Sequence, residues 1–187
     1  EQQAKDIGVE IDILVEPSRR DSGPAMAAAA AYCKGQGARA VLALASDHLV
    51  IGAEEFRAAC REGLAAVQKG GIVTFGIPPT EPKTDYGYIR PGVEQIGPVQ
   101  KVAAFVEKPD AKTALQYIAE GLLWNSGNFL FPPALLLSEI ARFEPAMAEA
   151  VKEAIAGMTR DLDFLRMATE PFARAPMKSI DYAVMER

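Results

Sequence analysis

Two opposite charges stand side by side at the end of one apolar run in this sequence. Residues 102–106 are all apolar and favour a strand, and Glu107 and Lys108 follow directly before Pro109. Because a proline has no N–H to donate, Pro109 ends strand pairing there. Consecutive strand side chains point to opposite faces, so Glu107 and Lys108 are not expected to form a simple mutual ion pair. One is placed to meet a hydroxyl-rich neutral group and the other an anion; the alternative is a strand end with two solvated charges.

Two aspartates are candidates for holding a cation. Asp47 follows the continuous apolar run 40–45, and a carboxylate there suits Mg²⁺, which often takes one or two protein carboxylates and completes its shell with phosphate and water. The alternative is that Asp47 caps the helix that follows. Asp181 is the second candidate, with an ordinary place in the first turn of a helix as its alternative. His48, the sole histidine, lacks a nearby cysteine or histidine partner, which argues against zinc and predicts an orienting role or a place at the site edge.

Other reaction types find little support in the sequence. Asp161 and Asp163 match the Asp-x-Asp pattern of many glycosyltransferases, but they lie in a polar stretch rather than after a buried strand, which favours a solvated surface. No serine stands in a Gly-x-Ser-x-Gly elbow, and no Walker-type or Gly-x-Gly-x-x-Gly phosphate loop follows a strand. The chemistry is therefore expected to be metal-assisted and noncovalent.

The composition excludes several classes of partner. The 187 residues suit a single domain, and a formal charge of −5 with interspersed signs leaves no basic footprint for nucleic acid or for an anionic membrane surface. Cys33 and Cys60 are expected to be reduced thiols of a cytosolic protein. No apolar run is long enough to span a bilayer. Residues 1–8 are typical of the tail of a helix, so the chain is expected to be a fragment.

The elements that must position these side chains alternate in the first part of the chain. Strands and helices are predicted to follow one another at residues 11–15, 22–34, 40–45, 53–69 and 72–77. This order is typical of an α/β fold with right-handed crossovers and a sheet covered on both faces, and the run 40–45 is expected to be buried on both faces. Ligands of such sheets bind beyond the carboxyl ends of the strands, which here are Glu16 with Pro17, residues 46–48 and the stretch after Ile77.

The second half of the chain is predicted to be less regular. Residues 78–97 are expected to form a loop with short antiparallel pieces that lead into the strand before Glu107, and residues 159–170 are ambiguous. The further predicted elements are helices at 111–120, 133–142 and 145–156, a strand within 124–131, and a capped last helix from Ser179.

Six short runs, spread over nearly all of the chain, match runs of one known protein family in the same order. They are residues 16–25, 44–48, 85–89, 105–109, 124–129 and 179–186. Together they resemble the sugar-1-phosphate nucleotidylyltransferases, specifically the bacterial mannose-1-phosphate guanylyltransferases. The resemblance implies a Rossmann-like α/β fold of the nucleotide-diphospho-sugar transferase type, with a mixed, mostly parallel sheet and helices on both faces. The family's glycine-rich loop and the strand before it are missing, so an N-terminal truncation is expected.

The resemblance also implies roles for the charged residues. In this family an oxygen of a sugar 1-phosphate attacks the α-phosphorus of a nucleotide in line, and pyrophosphate leaves. Asp47 and Asp181 would hold Mg²⁺ between the two phosphates, and Lys108 would meet the sugar phosphate, which makes Lys108 and Asp47 the expected catalytic pair. Glu107 and Asn125 would exchange hydrogen bonds with sugar hydroxyls.

Further binding residues follow from the same resemblance. Gly87 would let the backbone approach the sugar closely, with Tyr86 beside it. The residues expected to line the nucleotide pocket are Glu16, Pro17, Arg20, Ser22 and Pro24. Asp21 and Ser22 stand where the family usually has Asn-Thr, and Ser46 stands where it usually has alanine. Asp21 adds a charge near the base pocket, so the base preference stays open.

The leading hypothesis is a partial catalytic domain, with a nucleotide side at residues 1–78 and a sugar-phosphate side at 79–187. It would transfer a nucleotidyl group from GTP to mannose 1-phosphate with Mg²⁺, in the cytoplasm, with no nucleic-acid or membrane partner and with a homodimer as one arrangement. The alternatives are another sugar-1-phosphate nucleotidylyltransferase, a glycosyltransferase of related architecture, and a noncatalytic nucleotide-sugar-binding subunit. The chain alone, without the glycine-rich loop, is expected to be poorly active.

Overall fold

Most strands and helices lie close to the places that the sequence predicts. The structure, a computed structural model, describes residues 5–187. The strands are β1 (Ile13–Val15), β2 (Val41–Ala43), β3 (Val73–Ile77), β4 (Gly87–Ile96), β5 (Val99–Glu107), β6 (Leu123–Phe131), β7 (Thr159–Asp161) and β8 (Phe164–Arg166). The helices are α1 (Ser22–Gly35), α2 (Ala53–Gln68), α3 (Ala111–Ala119), α4 (Pro133–Phe143), α5 (Pro145–Ala156) and α6 (Thr169–Ala173), followed by a π-helical turn (Asp181–Met185).

The main sheet is five-stranded and is organised around β6. The strands lie in the order β2-β6-β4-β5, and β3 also pairs with β6. The α/β fold class is confirmed, but the expectation of a mostly parallel sheet needs a correction, because the strand pairs described in this sheet are all antiparallel. Strands β2 and β3 run in the same direction, yet each pairs antiparallel with β6, which inserts between them from much later in the chain. Strand β1 lies outside this sheet and pairs in parallel with β8 in a separate three-stranded sheet.

Strand β6 supplies side chains to cores on both of its faces, because successive strand residues alternate in direction. Phe129 and Phe131 are buried with residues of α1, α4, α5 and the π-helical turn. Leu130, between them, is buried with Ala66 and Val67 of α2 and with Val73 of β3. The prediction of helices on both faces of the sheet is therefore confirmed.

Local signals explain where the helices begin. Asp21 precedes α1, and its Oδ1 accepts a hydrogen bond from the Ser22 N–H at 2.7 Å. Asp110 caps α3, with Oδ1 accepting from the Thr113 N–H at 2.7 Å. Helices α4 and α5 begin with a proline, whose missing N–H costs nothing in the first turn.

Four regions differ from the predictions or resolve them. Strand β2 is only partly buried, with Leu42 37% exposed, because no strand pairs with its outer edge among residues 5–187. The ambiguous stretch after 159 contains a hairpin of β7 and β8, and the last helix is the short π-helical turn. Of the predicted helix tail at 1–8, residues 1–4 lie outside the described residues.

Two expectations from composition can be compared with the described residues. Cys33 and Cys60 are both free thiols, as predicted. Within residues 5–187, no helix has the length and apolar character needed to cross a membrane.

Candidate active site

The charged end of β5 turns away sharply after its last paired residue. Glu107 is the last residue of β5 and pairs with Gly87 of β4. Lys108 then has a φ of 50°, in the left-handed region that L-residues seldom occupy, while its N–H donates to the Tyr86 carbonyl at 3.2 Å. Glu107 is half-buried at the end of the strand, and Lys108 is exposed just beyond it. This confirms the predicted strand end before Pro109.

Gly87 makes room for the Glu107 carboxylate. A Cβ at Gly87 would collide with Glu107 Oε1 and would lie 3.3 Å from Asn125 Cβ. The glycine thus lets the carboxylate of one strand lie over the backbone of the next. Beside it, the Tyr86 ring meets the Trp124 ring edge-on, with 5.2 Å between centroids, which gives the site an aromatic wall.

Strand β6 bulges where it passes β3. Thr74 pairs with Phe129 and Gly76 with Asn125, so β6 advances four residues while β3 advances two. Gly127, inside the bulge, has a φ of 69° that suits glycine. Bulges re-aim side chains and occur often beside active sites. Here the bulge turns the Asn125 side chain toward both β3 and the π-helical turn.

The Asn125 amide is held by three hydrogen bonds within the protein. Its Oδ1 accepts from the Thr74 hydroxyl at 2.7 Å and from the Gly127 N–H at 3.2 Å. Its Nδ2 donates to Asp181 Oδ1 at 3.1 Å. Asn125 and Asp181, which the resemblance assigns to one site, are therefore in direct contact. For the expected contact with a sugar, Asn125 therefore has only its Nδ2 group available, as a hydrogen-bond donor.

Asp181 lies half-buried at the start of the π-helical turn, close to other carboxylates. Burial raises its pKa, and the negative charge of Glu186 adds to the rise, while the Asn125 hydrogen bond and the positive charge of Lys108 oppose it. Glu186 also accepts a hydrogen bond from the Glu107 N–H at 3.1 Å through Oε1. The end of β5 and the π-helical turn are thereby tied together.

Glu107 has the most strongly shifted carboxyl group of this cluster. Burial, together with the negative charges of Asp181 and Glu186 and against the positive charge of Lys108, raises its pKa to about 7. Lys108 Nζ lies 6.0 Å from the centroid of the Tyr182 ring, on the same turn as Asp181. The cluster of Glu107, Asp181 and Glu186 thus concentrates negative charge around one lysine, an arrangement that attracts a further cation.

The start of α1 holds the segment that carries Asp181. The Ser22 hydroxyl accepts from the Ile180 N–H, and the Gly23 N–H donates to the Lys178 carbonyl, each at 3.0 Å. A Cβ at Gly23 would lie 2.5 Å from that carbonyl oxygen, so the two segments touch through backbone. Ser22, predicted as a nucleotide-binding residue, has a structural hydrogen bond in this contact.

The remaining residues predicted to bind nucleotide lie along the chain before α1 and at its start. Burial raises the pKa of Glu16, and Pro17 is half-buried. Arg20 has a buried Nε with no hydrogen-bond partner among residues 5–187, and Pro24 is fully buried. The nucleotide-binding role of this group stays a prediction.

Asp47 lies in a far more open setting. Residues 46–52 are all exposed, and the Asp47 side chain is 88% exposed with Oδ1 4.0 Å from His48 Nε2. The helix-capping alternative for Asp47 is wrong, because Gly52 occupies the N-cap of α2. Asn128, in the β6 bulge, accepts from the Ala45 N–H at 3.0 Å and so holds the start of this segment. Within residues 5–187, no group of three or more acidic, histidine or cysteine side chains is arranged to hold a metal by itself.

The Asp-x-Asp pair lies on the β7–β8 hairpin of the small sheet. Asp161 Oδ2 accepts from Arg166 Nε at 2.7 Å, an exposed ion pair, and Asp163 is exposed. This setting agrees with the predicted solvated surface.

Sequence reasoning missed three residues of the site. Thr74 and Glu186 contact Asn125 and Glu107, and Asn128 holds the segment before Asp47. A threonine in a strand and a glutamate at the end of a turn carry no local signal. The Asn-Ser-Gly-Asn run of the bulge does carry one, since such residues are frequent where a chain leaves regular pairing.

Carboxylates and one lysine gather beyond the strand ends of a helix-covered sheet, and the chain is an α/β domain with this charged cluster at one edge of the sheet. The chain belongs to the nucleotidyl transferase family, whose family model matches residues 1–169. The membership agrees with the resemblance seen in the sequence.

Individual relatives point in the same direction. The xanthan biosynthesis protein XanB of Xanthomonas campestris pv. campestris is 44% identical over all of this chain and 40% of its own length. The mannose-1-phosphate guanylyltransferase of Escherichia coli K12 is 41% identical over 94% of this chain and 38% of its own length. The chain therefore spans about 40% of the length of these curated relatives.

Two solved structures share the fold. A Thermus thermophilus crystal structure, described as a mannose-1-phosphate geranyltransferase, matches with a TM-score of 0.85 and 37% identity over all of this chain and 53% of that one. A mannose-6-phosphate isomerase from Helicobacter pylori matches with a TM-score of 0.86 at 23% identity, over all of this chain and 73% of its own, and supports the fold alone.

Proposed function

We propose that a protein containing this chain transfers a guanylyl group from GTP to mannose 1-phosphate, releasing pyrophosphate. Residues 79–187 would form the sugar-phosphate side of the catalytic domain and residues 1–78 part of its nucleotide side. The observation that carries this proposal is the position of Lys108, which follows Glu107 at the end of β5 and has its Nζ 6.0 Å from the ring of Tyr182, the neighbour of Asp181. The guanylyltransferase names of relatives support the choice of substrates.

The reaction needs charge neutralisation and positioning more than covalent help. A phosphate oxygen of mannose 1-phosphate forms a bond to the α-phosphorus of GTP. The bond from the α-phosphorus to the bridging oxygen breaks, and pyrophosphate leaves with that electron pair. Lys108 is exposed at a strand end, where its ammonium group can pair with the attacking phosphate. Neutralising that phosphate lowers the repulsion between the two reacting anions.

The sugar would lie against the aromatic and acidic wall beside Gly87. Glu107 would accept hydrogen bonds from sugar hydroxyls while it is ionised, and its pKa of about 7 makes that state sensitive to pH near neutrality. Asn125 would contribute a donor, because its Oδ1 already accepts from Thr74 and Gly127. Tyr86 is 41% exposed and would contact the sugar ring from the side.

The site fits a divalent cation that takes most of its ligands from phosphate and water, as Mg²⁺ does. Asp181 offers a carboxylate in a region of concentrated negative charge, and Asp47 would supply a second one from its exposed segment. Bound there, Mg²⁺ would neutralise phosphate charge. Asp181 is held in place by Asn125, so it is the proposed fixed ligand of the pair.

The nucleotide pocket is the less complete part of the proposal. Glu16, Pro17 and Arg20 would face the base, with the buried Arg20 Nε available to an acceptor. Ser22, through its hydrogen bond with the Ile180 N–H, and the buried Pro24 would hold the backbone that follows Arg20 in place. A cytosolic location and a homodimer both stay predictions.

The test is a substrate panel on the full-length protein. Pyrophosphate release is measured with each of the four NTPs and with mannose 1-phosphate or glucose 1-phosphate, in the presence of Mg²⁺. The expected result is release with GTP and mannose 1-phosphate that exceeds every other pair by at least about 10-fold, the size of discrimination that a polar pocket readily provides. Preference for another pair would identify a different sugar-1-phosphate nucleotidylyltransferase. No release with any pair would contradict the proposal and favour a noncatalytic binding subunit.

A further inference from the structure

We propose that Thr74 is a positioning residue, whose hydroxyl fixes the Asn125 amide so that Asn125 supports Asp181. This inference rests on the proposed function, in which Asp181 binds the catalytic cation. Thr74 lies on β3, in a part of the chain otherwise assigned to the nucleotide side. It therefore has a task that its place in the sequence does not indicate.

The direction of the hydrogen bonds determines the orientation of the amide. A backbone N–H can only donate, so the Gly127 N–H requires the amide oxygen to face it at 3.2 Å. The Thr74 hydroxyl adds a second donor to the same oxygen at 2.7 Å, which is the shorter contact. With Oδ1 on that side, Nδ2 must face Asp181, where it donates to Oδ1 at 3.1 Å.

A reversed amide would face Asp181 with the wrong atom. Its oxygen would then stand where Nδ2 now lies, about 3 Å from a carboxylate oxygen, and two acceptors at that distance repel. Its NH₂ group would face the Gly127 N–H, so two donors would also oppose each other. The Thr74 hydroxyl can donate or accept, so it does not choose the orientation; its close contact in a partly buried place holds the amide in the position that Gly127 and Asp181 select.

The backbone explains why the hydroxyl reaches Asn125 at all. Thr74 pairs with Phe129, which lies four residues from Asn125 along β6. In a regular strand that separation would keep the Thr74 hydroxyl away from the Asn125 side chain. The bulge shortens that separation, because Asn125 already pairs with Gly76. Valine has the same branched shape as threonine, so valine at position 74 would suit the strand equally well. The hydroxyl is thus the part of Thr74 that the strand itself does not require.

The experiment compares three variants of the full-length protein. Thr74→Val removes the hydroxyl and keeps the branched shape, Thr74→Ser keeps the hydroxyl, and Thr159→Val makes the first change in the small sheet. The concentration of Mg²⁺ or Mn²⁺ that gives half-maximal activity is measured beside KM for mannose 1-phosphate. Binding of Mn²⁺ is followed separately by electron paramagnetic resonance, with and without GTP, and thermal unfolding checks the fold.

Thr74→Val is expected to weaken cation binding by about 10-fold, the usual effect of losing a group that orients a metal ligand. KM for mannose 1-phosphate should change less than about 2-fold, and Thr74→Ser and Thr159→Val should resemble the wild type. If Thr74→Val does not fold, Thr74→Ala replaces it, since alanine removes the same hydroxyl without adding bulk.

Two results with Thr74→Val would overturn the inference. One is unchanged cation binding in Thr74→Val, and the other is a rise in the sugar-phosphate KM alone, which would assign the Asn125 amide to the sugar. Failure of the proposed function can be told apart from failure of this inference. In the first case the wild type itself releases no pyrophosphate, while Mn²⁺ binding still measures the effect of Thr74. A wild type that binds no Mn²⁺ under either condition would overturn the inference together with the metal role of Asp181.

Discussion

The two aspartates expected to share a cation have opposite surroundings. Asp181 is half-buried, bonded to Asn125 and followed closely along the chain by Glu186, which reaches the backbone of Glu107. Asp47 is 88% exposed in a segment where Leu49 and Ile51 are also almost fully exposed. One carboxylate is in place before any ligand arrives. The other has to be placed by the ligand or by a further part of the protein.

The two aspartates differ in how much conformational entropy ligand binding has to overcome. A group held by neighbours has already lost its conformational freedom during folding, so binding does not have to supply that entropy. The segment around Asp47 is exposed, so ordering it around a ligand would cost conformational entropy at the moment of binding. The β6 bulge connects the two regions, since Asn125 bonds Asp181 and Asn128 holds Ala45, two residues before Asp47.

The largest effect is expected from Lys108→Ala, which removes the cation from the cluster of Glu107, Asp181 and Glu186. In the full-length protein kcat should fall by about 1,000-fold, because the attacking phosphate loses its neutralising partner. Steady-state pyrophosphate release measures this. Lys112→Ala, an exposed lysine on α3, is the matched control and should keep normal turnover. Near-normal turnover in Lys108→Ala would contradict the catalytic role proposed for Lys108.

The comparison of the two aspartates can be made directly with Asp181→Asn and Asp47→Asn. Each should lower Mg²⁺-dependent activity strongly, by about 100-fold, through loss of a cation ligand. Only Asp181→Asn should weaken Mn²⁺ binding in the absence of nucleotide, because only Asp181 is already held in place. Electron paramagnetic resonance titration separates the two. Equal losses without nucleotide, or an unchanged metal dependence in Asp47→Asn, would remove the distinction.

The smallest effect concerns stability and the carboxyl group of Glu107. Its folded-state pKa of about 7 lies above the ordinary value of 4.5, so the folded protein binds the proton more tightly than the unfolded chain does. The stability that this proton contributes is present below pH 4.5 and is lost as pH rises through about 7. Glu107→Gln should therefore match the wild type at pH 4.5 and be more stable at pH 8, by about 1 kcal/mol after allowance for partial exposure.

Urea unfolding at several pH values measures this difference. Glu94→Gln is the contrasting variant, because the Lys101 hydrogen bond lowers the pKa of Glu94. Its removal should give no gain at high pH. A Glu107→Gln variant that parallels the wild type at every pH would show that Glu107 is not unusually protonated.

Local chemistry allowed most elements of the fold to be predicted. Asp110 before α3 and the prolines that start α4 and α5 are signals within one turn of the helix they begin. Pro109 likewise ends β5 where the sequence indicates. Such features depend on neighbouring residues only, so one sequence is sufficient to find them.

Pairing between distant segments could not be predicted in the same way. Nothing near β2 or β3 shows that β6 separates them, and β1 finds its partner β8 about 150 residues later. The contact of Thr74 with Asn125 depends on that pairing and on the bulge. Lys108, Glu107 and Asp181 were predicted as site residues because their runs resemble a family, while Thr74 and Glu186 needed the three-dimensional contacts.

The central position of β6 has a consequence for synthesis on the ribosome. Strands β2 and β3 emerge first, but within residues 5–187 each has β6 as its sheet partner, and β6 ends at Phe131. Until then the nascent chain presents unpaired strand edges, which are prone to aggregation. Closure of the sheet therefore waits for β6, and the site is assembled later still, when the turn that carries Asp181 has been made. Translation speed across residues 41–131 should influence the yield of folded protein more than speed elsewhere.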